Sequence, residues 1–243
     1  MLNKPQRSLS LYISSPQACD YLDNNIAQNI FISPEEKIDS VTYEYLLSVG
    51  FRRSGEFIYR PHCKACQACI SCRVPLSSFS LSRSQKRVLN KNKDLERKTV
   101  NAEFNDEHYA LYLKYQRSRH AGGVMENFDE KAYKDFLCQS PGESVFIESW
   151  LNGQLVAVAL TDVFQRSMSA VYTFFDPDHP TRSLGTLSVL EQIQCAQSLN
   201  KDYLYLGYYI QASKKMTYKA NFQPLQLFEN DNWVSYKDSL SEK

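Results

Sequence analysis

Apolar side chains recur at helical spacing in some stretches of the chain and alternate with polar ones in others. Tyr45, Leu46 and Val49 share one face of a helix predicted over 42–49, with Gly50 as its stop. Residues 51–60 alternate as a short strand running into Pro61; 73–79 reads as extended and the basic segment 82–98 as helical. From about residue 103 the pattern changes. Tyr109, Tyr112, Leu113 and Gln116 predict a helix over 106–120, with Asp106 as N-cap and Gly122-Gly123 as breaker. A second helix follows over 129–138, with Ala132, Tyr133, Phe136 and Leu137 on one face. Strands are predicted at 144–151, 154–164 and 168–175, the first two joined at Asn152-Gly153, a strong hairpin signal. A loop over 176–183, a helix over 184–199, a strand over 202–208 and a hairpin of 225–228 with 233–236 complete the reading.

Two helices, an antiparallel meander, a loop, a helix and further strands is the element order of the GNAT acyltransferase fold. The expected architecture is α+β: a cysteine-bearing N-terminal domain over 1–100, then a GNAT-like domain over 101–243. Fold alone does not fix function.

With 243 residues, 43% of them apolar and 23% charged, the composition is that of a soluble globular protein. No apolar run is long enough to span a bilayer, and residues 1–15 contain no apolar signal core, so a cytoplasmic protein without membrane contact is expected. Net charge is only +1, but Arg83, Lys86, Arg87, Lys91, Lys93, Arg97 and Lys98 stand against only Asp94 and Glu96. Such a run is either a solvated face or a place for nucleic-acid phosphates.

Four of the seven cysteines, Cys63, Cys66, Cys69 and Cys72, form three overlapping CxxC steps. An odd cysteine count without a secretory signal argues against a disulfide framework. Thiolates at this spacing suit tetrahedral zinc or an iron–sulfur cluster. Cys19 is a candidate ligand from elsewhere in the chain and His62 a weaker one, while Cys138 and Cys195 read as packing residues.

Several stretches together resemble the arginyl-tRNA–protein transferase family, and more closely its short bacterial branch, the aspartate/glutamate leucyltransferases. They are Cys19-Asp-Tyr-Leu22, Gly50-Phe-Arg-Arg-Ser-Gly55 with Tyr59-Arg-Pro-His-Cys63, and Phe79-Ser-Leu-Ser-Arg-Ser-Gln-Lys-Arg87. In the C-terminal half they are Tyr172-Thr-Phe-Phe-Asp-Pro-Asp178, Ser183-Leu-Gly-Thr186, and Tyr205-Leu-Gly-Tyr-Tyr-Ile-Gln211 before Lys215-Met-Thr-Tyr-Lys219. The resemblance covers about residues 10–230. It implies an enzyme of an N-degron pathway that moves leucine from leucyl-tRNA onto proteins beginning with Asp or Glu. It also implies Cys19, Cys63, Cys66 and Cys69 as metal ligands, with Cys72 extra to the bacterial pattern.

An α-amine of pKa about 8 attacking a tRNA ester needs alignment, a proton acceptor and oxyanion support, and no enzymic nucleophile. Asp176 is the first candidate acceptor, with Glu126 and His120 as alternatives. Arg119, Arg182 and Lys215 are candidates to grip an acidic side chain. Tyr172, Tyr208, Tyr209 and Tyr218 are candidates to stack on the terminal adenosine. Lys214, Lys215 and Lys219, with the basic stretch, are expected to hold tRNA phosphates. Three other readings stand beside this one: arginine transfer, an acetyl-CoA-dependent GNAT enzyme, and a zinc-ribbon module without catalysis. The acetyl-CoA reading needs a small residue where Arg182-Ser-Leu-Gly185-Thr-Leu187 places leucine, so no acetyl-CoA is expected.

Overall fold

Residues 8–241 are described in the computed structural model; residues 1–7, part of the stretch read as lacking a signal core, lie outside the described residues. The N-terminal strands β1 (Leu11–Ile13), β2 (Gln17–Ala18), β3 (Ile26–Ala27) and β4 (Asn29–Ile32) precede α1 (Ser40–Ser48). The hairpin β5 (Arg52–Ser54) and β6 (Phe57–Pro61) follows, and β1-β4-β6-β5 form an antiparallel sheet, with β2 and β3 paired separately. Strands of two to four residues with mixed exposure leave no alternating signature, so β1–β4 had none to read. Asp39 caps α1 by accepting the Thr42 N–H, and Gly50 at φ +90° ends it as expected. The single strand expected over 51–60 is a hairpin instead, because Gly55 turns the chain at φ +59°.

The second sheet contains β7 (Ile70–Pro75), β8 (Glu96–Asn101), β9 (Glu143–Leu151), β10 (Gln154–Val163), β11 (Ser167–Phe175), β12 (Tyr203–Tyr209), β13 (Gln226–Glu229) and β14 (Asn232–Ser235). Its order is β14-β13-β7-β12-β11-β10-β9-β8, antiparallel except for β11 beside β12. The boundary expected at residue 100 falls inside this sheet, which takes β7 and β8 from the cysteine-bearing half. Helices α2 (Arg83–Lys91), α3 (Asp106–Arg119), α4 (Glu130–Tyr133), α5 (Leu184–Ser198) and α6 (Tyr236–Ser241) surround it. Alternation along β10 sends Val158 and Leu160 towards α3, with Tyr112 and Phe174, and turns Ala157 towards Leu184 and Leu187 of α5.

Three local expectations change. The basic helix stops at Lys91, where buried Asn92 donates to the Val88 and Arg182 carbonyls, and its second half becomes the edge strand β8. The N-cap of α3 is Asn105, which accepts from the Glu107 and His108 amides, and not Asp106. The helix expected over 129–138 opens at Asp129 but widens after Tyr133 into a π turn, Lys134–Cys138. The Asn152-Gly153 hairpin forms with both residues at positive φ, as its type requires.

Candidate active site

β11 and β12 pair only at Ser167–Ser169 with Tyr203–Tyr205. Just beyond, each strand carries an irregularity: β11 skips Val171 in its register with β10, and β12 skips Leu206 in its register with β7. Such bulges bend a strand and end pairing. The two parallel neighbours therefore part in the middle of the sheet, and Gly207, at φ +85° and partly exposed, stands at the parting.

Two cations fill the depth of this opening. Arg52 comes from β5 and donates through Nη2 to the Ala170 carbonyl of β11 at 3.2 Å. Lys219, on the short 3-10 turn Thr217–Asn221, donates through Nζ to the Tyr208 carbonyl of β12. Both are buried, at 6% and 4% exposure, and a carbonyl on each parted strand is thus capped by a cation. Arg52 Nη1 is buried without any hydrogen bond. Burial, helped to a lesser degree by the Arg52 charge, pushes Lys219 down to about 8, against the opposing pull of Cys72.

Around the mouth the structure gathers several residues singled out from sequence. His120 follows α3, its ring 5.5 Å from Tyr115, which lies 5.0 Å from Phe175 at the end of β11. Arg119 lies over Phe175 at 5.8 Å. Burial, Lys215 and Arg119 all lower the His120 pKa, which keeps the imidazole neutral at neutral pH. Tyr218 stands 45% exposed beside Lys219. Tyr172 accepts a hydrogen bond from Gln116 at 2.6 Å and packs on Phe136.

Other candidates are engaged elsewhere. Asp176 is 2% exposed; its Oδ1 accepts from Lys114 Nζ at 2.7 Å and from the Asp178 N–H. Burial raises its pKa, but these donors outweigh burial and hold it below the ordinary carboxylate range, so Asp176 is a poor base. Glu126 accepts the Gly122 N–H at 2.6 Å. Arg182 forks onto both oxygens of Asp94 at 3.0 and 2.8 Å, which occupies the geometry needed for a substrate carboxylate. The Tyr208 hydroxyl donates to the Gly50 carbonyl, and the Tyr209 hydroxyl bonds to that of Tyr236. Leu187, expected to crowd the loop before α5, is turned into the core against Leu95, Val156 and Ala157.

Cys19, Cys63, Cys66 and Cys69 line one cavity of about 400 Å³ with Tyr21, Tyr59 and Tyr208. Cys63 and Cys66 form an antiparallel bridge that makes the turn tight, and the Gln28 N–H points at Cys63 Sγ from 3.5 Å. Burial and then Cys19, Cys63 and Cys66 push Cys69 up to about 12. Among the described residues no three such groups are drawn into ligation distance, yet an all-sulfur set converging on one cavity fits a thiophilic metal. Cys72 does not line this cavity; it is buried and donates to the Gly207 carbonyl at 3.3 Å. His62 is outside this set.

A profile described as "Arginine-tRNA-protein transferase, C terminus" matches residues 107–229, and its N-terminus counterpart matches 17–87. The chain belongs to the arginine-tRNA-protein transferase family. An aspartate/glutamate leucyltransferase of Saccharophagus degradans is 44% identical over 94% of this chain and 97% of its own. One from Chromohalobacter salexigens is 42% identical over 93% of each. Among solved structures, FemX overlays 97% of this chain and 84% of its own with a TM-score of 0.44 at 8% identity.

The N-terminal match of this transferase holds Arg52 with Cys19, Cys63, Cys66, Cys69 and Cys72, and the C-terminal match holds β11, β12 and Lys219, so the opening is built from both. Sequence reasoning missed Arg52. Its signal was an arginine pair, Arg52-Arg53, in a segment read as a strand between Phe51 and Phe57-Ile-Tyr59; both arginines are buried. Arg53 answers that burial through Asp162, at 2.6 and 2.8 Å, while Arg52 has no carboxylate among the described residues.

Proposed function

We propose that this protein transfers leucine from leucyl-tRNA to the N-terminal amine of proteins beginning with Asp or Glu, the marking step of an N-degron pathway. Relatives named aspartate/glutamate leucyltransferase, 41–44% identical over nearly the whole chain, support that reading. The observation on which the chemistry rests is the parting of β11 from β12, the arrangement suited to a GNAT-like acyl transfer, with cations in its depth and aromatic rings at its mouth.

In this reading the neutral α-amine attacks the ester carbonyl of leucyl-tRNA. A C–N bond forms, the C–O bond to the terminal ribose breaks, and the proton lost by the amine ends on the released ribose oxygen. His120, neutral at physiological pH and at the mouth, takes that proton and returns it. Tyr218 offers a half-exposed face to the terminal adenine, and Arg119, Lys215 and the basic face of α2 meet tRNA phosphates. Cys19, Cys63, Cys66 and Cys69 would hold a zinc ion or an iron–sulfur cluster, which when bound would supply a cross-link of the N-terminal strands to the 61–69 turn.

The test is transfer of labelled leucine or arginine from the cognate tRNA to model proteins starting with Asp, Glu or Ala. Leucine on Asp and Glu but not Ala is expected. Arginine transfer would keep the family chemistry and overturn the donor; no transfer from either tRNA would overturn the reading.

A further inference from the structure

Most buried charges in this fold are matched. Arg53 has Asp162, Glu191 has Arg97 at 2.5 Å, and Arg73 is stacked between Tyr203 and Trp233 at 3.6 and 4.1 Å and donates to Gln226. Arg52 and Lys219 are both cations, lie side by side, and among the described residues neither ion-pairs with a carboxylate. Cys72 does not supply the missing charge, because burial raises it to about 11 and leaves it a neutral thiol. Two neighbouring cations out of water and without a counter-charge are costly unless an anion completes the site.

The geometry reserves a space for that anion. A Cβ placed on Gly207 would stand 3.5 Å from Arg52 Nη2, 3.8 Å from Arg52 Nε and 3.7 Å from Lys219 Nζ. Any side chain there would fill the gap between the two cations. Gly207 carries no side chain to occupy that position and is itself partly exposed, while both cations are buried. Arg52 Nη1 adds an unmet donor. The turn that carries Lys219 lies over β12, so the cover is one short turn thick.

We propose that Arg52 and Lys219, across Gly207, form the receptor for the side-chain carboxylate of the acceptor protein's N-terminal Asp or Glu. This rests on the reading of the protein as a transferase for acidic N-termini. Two features favour a carboxylate over a phosphodiester: the donors converge on Gly207 from two elements, and both cations are buried within the sheet, whereas tRNA phosphates are reached from the exposed basic helix α2. Arg52 and Lys219 would thereby set specificity, with the proton transfer left to His120 at the mouth.

The experiment measures binding of matched peptides beginning with Asp or Asn to the full-length protein by fluorescence anisotropy, beside leucine transfer on the same preparation. The wild type is expected to favour Asp over Asn by about tenfold to a hundredfold, the range of one hydrogen-bonded charge. Arg52→Gln should abolish the preference, chiefly by weakening the Asp peptide, and Lys219→Met, which keeps an apolar stem, should do the same if Arg52→Gln does not fold. Equal binding of the two peptides by the wild type would overturn the proposal. So would a folded variant that keeps the preference while its transfer rate falls, the signature of oxyanion support instead. A wild type that keeps the Asp preference yet transfers no leucine would leave the receptor standing and overturn the reading of the activity.

Discussion

At the scale of single residues, the site divides carboxylates from the imidazole by what each already holds. Asp176 is committed to Lys114 and to the Asp178 amide, and its depressed pKa means the ionised form is stabilised by the fold. Its contribution is therefore complete above the unfolded value of 3.8 and is lost as pH falls through the lower folded value. Asp176→Asn is expected to lower stability by about 1–2 kcal/mol at pH 7. The difference from wild type should shrink below pH 3.8 in urea titrations, and transfer should stay within a few-fold. His120 behaves in the opposite sense: its pKa is pushed below 6.5, so it is a competent base at pH 7 and loses that capacity as pH falls through its own value. His120→Ala should cut kcat by about a hundredfold and flatten the acid limb of the pH–rate profile. An unchanged acid limb would remove His120 from the chemistry.

At the scale of elements, the small sheet is fastened to the large one by two adjacent arginines of β5. Arg53 reaches Asp162 on β10 and also donates to the Gly55 and Gln139 carbonyls, so its replacement leaves a buried carboxylate without its cation. Arg53→Met is expected to cost about 3–5 kcal/mol in denaturant midpoint analysis, and pairing it with Asp162→Leu should recover most of that loss. The cysteine turn makes a separate prediction. Cys63→Ser and Cys69→Ser should each lower bound zinc or iron in metal analysis of purified protein, whereas Cys72→Ser, outside the cavity and bonded to the Gly207 carbonyl, should leave it unchanged. Equal metal content in Cys63→Ser and wild type would dissolve the proposed ligand set. These elements also explain what could be read in advance. The meander from 143 to 175 and the helix after it were legible because the strands are long, largely apolar runs bounded by turn residues and Asn152-Gly153 admits one turn. The parting of β11 from β12 was not, since it depends on bulges at Val171 and Leu206 that show only against partner strands. Arg52 could be read as an anomaly, but its function needed Lys219, 167 positions along the chain.

At the scale of the whole molecule, the near-neutral net charge conceals a separation of surfaces that bears on how a tRNA is held. The expected seventeen-residue basic helix is divided by Asn92: Arg83, Lys86, Arg87, Lys91 and Lys93 remain exposed on or just after α2, while Arg97 is drawn onto Glu191 and Lys98 lies 4.8 Å over Trp150. The first group carries the exposed charge not already engaged by this chain's own side chains. The buried cations Arg52 and Lys219 are out of reach of a bulky backbone, so the two substrates of one reaction meet positive charge of different kinds. Exposed lysines and arginines bind phosphate by counterion release, which depends on salt; a desolvated pair screened from ions does not to the same degree. Lys86→Ala with Arg87→Ala should therefore raise KM for leucyl-tRNA and reduce the slope of log affinity against log salt by about 1 for each phosphate no longer neutralised. The KM for an Asp-starting peptide should stay unchanged. Arg52→Gln should do the reverse, raising the peptide KM with an unchanged salt slope for tRNA. A common response of both variants to salt would mean that one continuous basic surface binds both substrates, and the division between an outer phosphate face and an inner carboxylate receptor would fall.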